Sequence, residues 1–319
     1  MELFNKFSET IFLKEDTTLE KEIEELKQIR EYVHEKEKID RDIELLEIGL
    51  QGEKKISFEL RNTNIGMYVL HDITIECDGL KAQFDYIIIT KGYIYLVECK
   101  NLIGNITVDN KGEFRREYEL YGKKYKEAIY SPYTQANRHK EILKKKCLNQ
   151  DSKFKKNISL NSFDSFRYKP LVVISNPKSL LNIKYAPKDI KENVVRLDYL
   201  IEYIKSDLRS YDFVSLFSKN KMEKITNSFL EMNISSSSNI VDRYKKGYEI
   251  LERELKTYRK NKANKMNVPA YYIFNDDEMK KIILNKPNDI DKLKELNILS
   301  EVKLNLHGKE IIEIIKENT

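Results

Sequence analysis

The stretch DYIIITKGYIYLVECK, Asp85 to Lys100, is built for a β-sheet yet places two carboxylates and an ammonium near its two ends. Two runs of Ile, Tyr, Leu and Val flank Lys91-Gly92, which predicts a hairpin with a two-residue loop. Pairing Thr90 with Tyr93 then puts Asp85 directly opposite Glu98. At such positions the β-carbons stand about 4.5–5.5 Å apart and like charges are destabilising. Lys100 lies two residues past Glu98 and shares its face. Ile87, Ile89, Ile94 and Leu96 lie on that face too, so it should be buried, and carboxylates at the rim of a buried face need a partner. One reading is a solvated strand end with a cross-strand ion pair, which is worth little. The other is a divalent metal site, since Mg²⁺ takes oxygen ligands from carboxylates, water and phosphate. The expected burial favours the metal.

The elements that would position these groups can be read around them. Residues 17–47 form a charged segment with Leu19, Ile23, Leu26, Ile29, Val33 and Ile43 at helical spacing, predicting an amphipathic helix; Asp40 interrupts its heptad row. After Gly49 and Gly52 the pattern predicts a new helix with Glu53 in its first turn. MYVLHDITIE predicts a strand before the hairpin, and GNITVDNKGEFRREYEL a further hairpin turning at Asn110-Lys111-Gly112. Ser131 as N-cap and Pro132 at the first position open a helix with Gln135 in its first turn. Residues 150–169 are polar and patternless, KPLVVISN predicts a buried strand, and NVVRLDYLIEYI a strand running into a helix. The Ser/Asn-rich MNISSSSNIV is a linker.

Beyond it, residues 241–319 predict a helical bundle. Tyr244, Tyr248, Leu251 and Leu255 make a stripe, and Asn275 with Glu278 a capping box flanked by Phe274 and Met279. The division expected is an acidic helical arm over 1–47, an α/β domain over 48–232, a linker over 233–240 and the bundle over 241–319.

The 319 residues are 34% charged and 40% hydrophobic, with a mean hydropathy of −0.60. No stretch of eighteen apolar residues and no signal-peptide pattern is present, so no membrane role is expected. Cys77, Cys99 and Cys147 show no C-x-x-C spacing, which argues for a reducing cytoplasm and against a disulfide framework or zinc. The four histidines supply little for histidine-based chemistry. The net charge of +5 is uneven: residues 1–48 carry 8 Lys/Arg against 15 Asp/Glu, and residues 136–169 carry 10 against 3. Residues 243–265 hold nine cations (Arg243, Lys245, Lys246, Arg253, Lys256, Arg259, Lys260, Lys262 and Lys265) against three Glu. Such charge suits a polyanion. The absence of a G-x-x-x-x-G-K-[ST] loop argues against nucleoside triphosphate use.

In combination these motifs resemble two known families. Residues from about 46 to 205 resemble the nuclease-related NERD domain of the PD-(D/E)XK restriction-endonuclease-like superfamily. GLQGE with Glu53, QFDYIII with Asp85, VECKN with Glu98 and Lys100, and SPYTQ with Gln135 occur in the order helix-Glu, strand-Asp, strand-ExK, helix-Gln. Residues 241–318 resemble the HRDC domain, the helicase and RNase D C-terminal bundle, through YEILERELKTYR, NVPAYYIFNDDEMKKII, KPNDIDKLKELN and HGKEIIEIIKEN. The Gly-x-Gly turn frequent after that family's third helix is missing from LNILSEVK.

The resemblance implies an α/β restriction-endonuclease-like core, a mixed sheet flanked by helices, followed by an all-α bundle. It implies that Glu53, Asp85 and Glu98 ligate Mg²⁺ or Mn²⁺, with the main-chain carbonyl of Cys99 as a further ligand. Lys100 would orient the attacking water or stabilise the phosphate, and Gln135 would orient water or phosphate or simply cap its helix. The Cys99 thiol, on the opposite face from Glu98, is read as core. The expectation is an endo- or exodeoxyribonuclease acting on DNA in preference to RNA, in repair or defence. In that reading Arg243, Lys245, Lys246, Arg253, Lys256, Arg259 and Lys260 contact nucleic acid. The alternative is a catalytically silent nucleic-acid-binding or scaffold protein. The acidic N-terminal helix offers a surface for a protein partner or for self-association.

Overall fold

The computed structural model describes residues 7–32, 36–149, 167–210, 216–234, 239–245 and 248–318. The chain divides into two compact units, Met1–Glu20 with Glu47–Ser236, and Lys21–Leu46 with Ser237–Thr319.

The first unit is organised on a six-stranded mixed sheet. Its spatial order is β1 (Thr10–Lys14), β2 (Met67–Cys77), β3 (Leu80–Thr90), β4 (Ile94–Lys100), β8 (Tyr168–Ile174) and β10 (Val194–Arg196). The β2–β3–β4 meander is antiparallel, and β1, β8 and β10 join in parallel. Helices α3 (Pro132–Leu148) and α6 (Lys219–Met232) cover one face with Leu143, Cys147, Ile225 and Phe229. On the other face Ile56 and Leu60 of α2 (Lys36–Arg61) and Leu200 and Ile204 of α5 (Leu200–Ser210) pack over Tyr86, Ile88 and Tyr95. This is a mixed sheet flanked by helices, as expected.

The hairpin has the register its loop predicts. Ile89 pairs with Ile94, Ile87 with Leu96 and Tyr86 with Val97, and the Thr90 N–H donates to the Tyr93 carbonyl at 2.9 Å. An irregularity precedes it. Phe84 and Ile87 enter the same core although three residues apart, and so do Leu70 and Ile73 on the paired strand. The pairs His71–Tyr86 and Ile73–Phe84 bracket Asp72 opposite Asp85, and Asp72 sits in the left-handed region at φ 54°. Both strands change faces here. Asp72 is tied off by Thr18 at the start of α1 (Thr18–Ile29), whose main-chain N–H donates to it at 2.5 Å, and by Gln83 at 2.8 Å.

A second sheet follows the order β7 (Lys123–Ile129), β6 (Phe114–Leu120), β5 (Asn105–Val108) and β9 (Leu180–Asn182). Its core of Ile106, Val108 and Phe114 meets Ile190 of α4 (Lys188–Asn193). The strand β7 is an addition to the expected hairpin. It is reached through Tyr121 and Gly122 at φ 52° and 74°, the left-handed pair a tight hairpin loop requires.

The second unit holds α7 (Asn239–Lys245), α8 (Glu249–Met266), α9 (Asp276–Asn285), α10 (Ile290–Glu295) and α11 (Glu301–Glu317). They close around Leu251, Leu255, Phe274, Ile282 and Ile311. The capping box of Asn275 and Glu278 is formed. The Tyr244–Leu255 stripe is divided between α7 and α8, with Tyr248 at the N-cap of α8.

Three expectations are revised. Residues 1–47 are not one helical arm: Thr10–Lys14 pairs with β2, and residues 21–46 belong with the bundle. The tie is specific, because Tyr32 stacks on Tyr248 at 4.9 Å and the Tyr244 hydroxyl donates to Asp42 at 2.8 Å. The amphipathic helix stops at Ile29, with Arg30–Tyr32 forming a 3₁₀ turn; Val33 lies outside the described residues. Finally, no new helix begins after Gly52. The helix α2 runs unbroken through Gly49 and Gly52, so Glu53 sits in its interior. Lys246, Gly247, most of the segment 150–169 and residues 235–238 of the linker also lie outside the described residues.

Candidate functional site

The β3–β4 pairing runs from Ile89–Ile94 to Tyr86–Val97, and Asp85 and Glu98 are the next residues on the two strands. The Asp85 carboxylate accepts the Cys99 main-chain N–H at 2.6 Å. Glu98, 4% exposed, accepts from Lys100 Nζ at 2.7 Å, and Lys100 also donates to Gln135 Oε1 at 3.3 Å. Gln135 is held by α3, whose N-cap Ser131 accepts the Thr134 N–H. His139, one turn further along α3, brings Nδ1 to 3.9 Å from the second Glu98 oxygen and meets Phe84 edge-on.

Glu53 arrives from the other face of the sheet, and Gly52 explains how. A Cβ at position 52 would stand 2.6 Å from both Asn101 Cβ and Ser175 Oγ, so only glycine lets α2 lie against the ends of β4 and β8. Asn101 ties α2 down by donating to the Ile48 carbonyl at 2.6 Å, while its Oδ1 is buried and accepts no hydrogen bond among the described residues. The Tyr86 hydroxyl donates to the Glu53 carbonyl at 2.9 Å. The Glu53 carboxyl itself meets His71 Nε2 at 2.6 Å. His71 is fixed in turn: its Nδ1 faces the Glu15 carbonyl at 3.1 Å and its ring stacks on Tyr86 at 4.4 Å.

The electrostatics follow from this crowding. Loss of hydration, then the charges of Glu98 and Glu53, push the Asp85 carboxyl well above the usual carboxylate range. Burial raises Glu98 as well, opposed by Lys100. Burial works to lower Lys100, but Glu98 and Asp85 outweigh it and hold the ammonium above its ordinary value. Burial, with Arg138 and Lys100, lowers His139 to about 4. The Cys99 thiol is raised well above its ordinary value by burial and contacts Ser175 Oγ at 3.3 Å.

The donor set is oxygen-only, partly dehydrated and mutually repulsive, which suits a hard divalent cation in kind. Each carboxylate is at present held by a separate hydrogen donor or histidine. Among the described residues no group of three or more His, Cys, Asp or Glu is gathered to hold a metal ion.

His71 and His139 were missed by a sequence reading that found histidine poorly supplied. Asp78-Gly79 carried the signal. That turn, at φ 52° and 76°, sets the β2–β3 register and so places His71 opposite Tyr86. For His139 the signal was its spacing of four residues from Gln135 on one helix.

In the bundle the expected cations are mostly paired. Lys245 meets Glu25 at 2.7 Å, Lys256 Glu252 at 2.8 Å, Arg259 Asp276 at 2.8 Å and Arg253 Glu254 at 3.2 Å. Arg243 lies 3.9 Å from Asp42, and Lys260 is exposed. Lys246 is outside the described residues.

The class the fold and site define is an α/β domain, a mixed sheet flanked by helices with carboxylates and a lysine at the ends of its central strands, followed by an all-helical domain. Residues 48–175 match the model of the nuclease-related domain, NERD, and residues 250–315 match that of the HRDC domain. The chain thus carries a nuclease-related domain followed by an HRDC domain, in the order expected. No curated protein and no solved structure was found to match the chain. Among the described residues no helix is long and apolar enough to cross a membrane.

Proposed function

We propose that this protein is a Mg²⁺- or Mn²⁺-dependent nuclease that hydrolyses phosphodiester bonds in DNA. The observation that carries the reading is the meeting of Asp85, Glu98 and Lys100 at the strand ends, with Glu53 close enough to raise the Asp85 carboxyl. Glu53, Asp85 and Glu98 are the residues that would hold the ion, with the Cys99 carbonyl as a further oxygen. A bound divalent ion supplies an acidified water and charge neutralisation at the scissile phosphate. Lys100, fixed by Glu98 and Gln135, presents a cation to the phosphate as negative charge develops on it. Gln135 acts by holding the Lys100 ammonium. His71 and Tyr86 fix the orientation of Glu53.

The HRDC-like bundle is an accessory nucleic-acid contact in this reading. The pairing of Lys245, Lys256 and Arg259 with acids leaves fewer open cations than the sequence count suggests. The second reading, a catalytically silent binding protein, is favoured by one observation: every site carboxylate already has its own partner.

Incubation with linear duplex, circular duplex, single-stranded DNA and RNA in Mg²⁺ or Mn²⁺ separates the two. Metal-dependent loss of a DNA substrate is expected. Binding to any of them without cleavage in either metal supports the silent reading.

A further inference from the structure

We propose that the β6–β7 ribbon is a binding surface for a single strand of the substrate flanking the scissile bond. The inference rests on the nuclease reading for the words "substrate" and "scissile", and on its own observations for the rest.

The ribbon grows from the site. The strand β5 begins five residues after Lys100, and β9 follows β8 after Ser175, so both strands that lead into the second sheet leave from the end of the main sheet where Glu98 lies. Gly104 fixes the join. It adopts φ 107°, and a Cβ there would stand 2.4 Å from the Glu117 carbonyl oxygen.

Beyond this root the ribbon exposes most of both faces. Its cross-strand pairs place Tyr118 opposite Tyr125 and Leu120 opposite Lys123. The two tyrosine rings stack at 5.2 Å, and the Arg116 guanidinium lies 4.1 Å over the Tyr118 ring. Tyr121 at the tip is 94% exposed. From Tyr118 to Lys126 the segment reads YELYGKKYK, with three tyrosines and three lysines against one glutamate. A hollow of about 570 Å³ opens beside Gly104, bounded by Glu117, Tyr118, Glu119, Lys124, Tyr125 and Lys126, and Lys126 is paired with Glu117 at 2.6 Å, which leaves Lys123 and Lys124 as the cations open to a ligand.

A solvated hairpin has no use for this composition. Aromatic rings gathered on an exposed ribbon mark a surface that a partner covers, and the net positive charge of the tip suits a partner of opposite sign. The partner that offers both flat apolar faces and a regular line of negative charge is a nucleic acid strand. Bases can stack on Tyr121 and Tyr125 only when unpaired, which selects a single strand over a duplex. Lys123 and Lys124 meet the phosphates.

The full chain carrying Lys123→Glu and Lys124→Glu, and separately Tyr121→Ala, is measured against a fluorescent single-stranded oligonucleotide across a salt series. All three side chains are exposed, so circular dichroism and Tm should match the wild type. The double charge reversal should weaken binding at least tenfold and make the log–log salt dependence shallower by about 1.4, from two phosphate contacts. Tyr121→Ala should weaken single-strand binding about fivefold or more and duplex binding less than about twofold. In cleavage, KM should rise with kcat retained. Unchanged affinity in both variants, with a wild type that cleaves, overturns the ribbon assignment alone. Ribbon-dependent binding by a wild type that never cleaves overturns the nuclease reading and leaves the ribbon standing. A wild type that binds no single strand overturns the ribbon assignment too.

Discussion

The Asp85 carboxylate accepts the Cys99 main-chain N–H at 2.6 Å, a hydrogen that regular pairing would direct to the Phe84 carbonyl. Hydrogen-bonded pairs alternate along an antiparallel ladder. With Thr90 bonded to Tyr93 and Tyr86 opposite Val97, the next bonded pair would be Phe84 with Cys99. The strands change faces just before it, and a side chain closes the ladder. An acid is thereby anchored beside Glu98, where it is costly and where a cation would be useful.

That cost predicts a trade of stability against activity. Asp85→Asn keeps an oxygen for the Cys99 N–H and removes a carboxyl whose ionisation burial and Glu98 oppose. Metal-free protein should gain stability at neutral pH, because a buried carboxyl that resists ionisation penalises the fold and a neutral amide does not. Cleavage should fall below detection. Thermal unfolding in EDTA beside a plasmid assay checks both; a variant less stable than wild type contradicts the electrostatic reading.

The two glycines of α2 should respond in opposite ways. Alanine favours a helix interior over glycine by about 1 kcal/mol. At Gly49 the nearest neighbour to a new Cβ is Leu19 at 3.7 Å, so Gly49→Ala should stabilise by up to that amount. At Gly52 the Asn101 and Ser175 atoms stand at 2.6 Å, and overpacking of this kind costs about 1–3 kcal/mol. Gly52→Ala should therefore lose stability and, by displacing Glu53, lose activity more than tenfold. Urea unfolding of the pair tests it. Equal responses at the two positions would mean that Gly52 is not a contact point.

The parts of this fold that were legible in the sequence are those set by short-range rules. The Lys91-Gly92 loop marked the hairpin whose register runs from Ile89–Ile94 to Tyr86–Val97, and the caps at Ser131 and Asn275 marked helix starts because each side chain bonds an N–H three residues on. What escaped depends on partners far along the chain. The strand Thr10–Lys14 exists because Met67–Leu70 offers an edge. Gly52 looked like a helix breaker because Ser175, whose hydroxyl requires a glycine there, is 123 positions away. His71 escaped for a different reason: its site partner Glu53 was near in sequence, but the face change at Asp72 hid the alternation that would have aimed it inward. Roles at the site came from resemblance, and geometry supports them without assigning them.

His139 should make stability fall in mild acid. Burial lowers its pKa to about 4 from an unfolded value near 6.5. Its contribution is therefore complete above about pH 6.5 and is lost as pH falls toward 4, an effect of about 3 kcal/mol. Asp85 and Glu98, raised rather than lowered, act in the opposite sense over part of this range, so the comparison must be with His139→Gln, which retains both acids. Urea midpoints in EDTA at about pH 7 and pH 4.5 should show the wild type losing about 2–3 kcal/mol more than the variant. Equal losses would show that His139 is not held uncharged.

The most direct measurement is plasmid cleavage by wild type and by Lys100→Ala, purified identically, in Mg²⁺, in Mn²⁺ and in EDTA. Lys100 is partly exposed, and among the described residues its Nζ bonds Glu98 and Gln135, so the variant should keep the fold and its circular dichroism. Cleavage is predicted for the wild type with metal alone, absent in EDTA and absent from Lys100→Ala throughout. Cleavage by Lys100→Ala at the wild-type rate, or cleavage that survives EDTA, would contradict a metal-dependent centre built on Glu53, Asp85, Glu98 and Lys100.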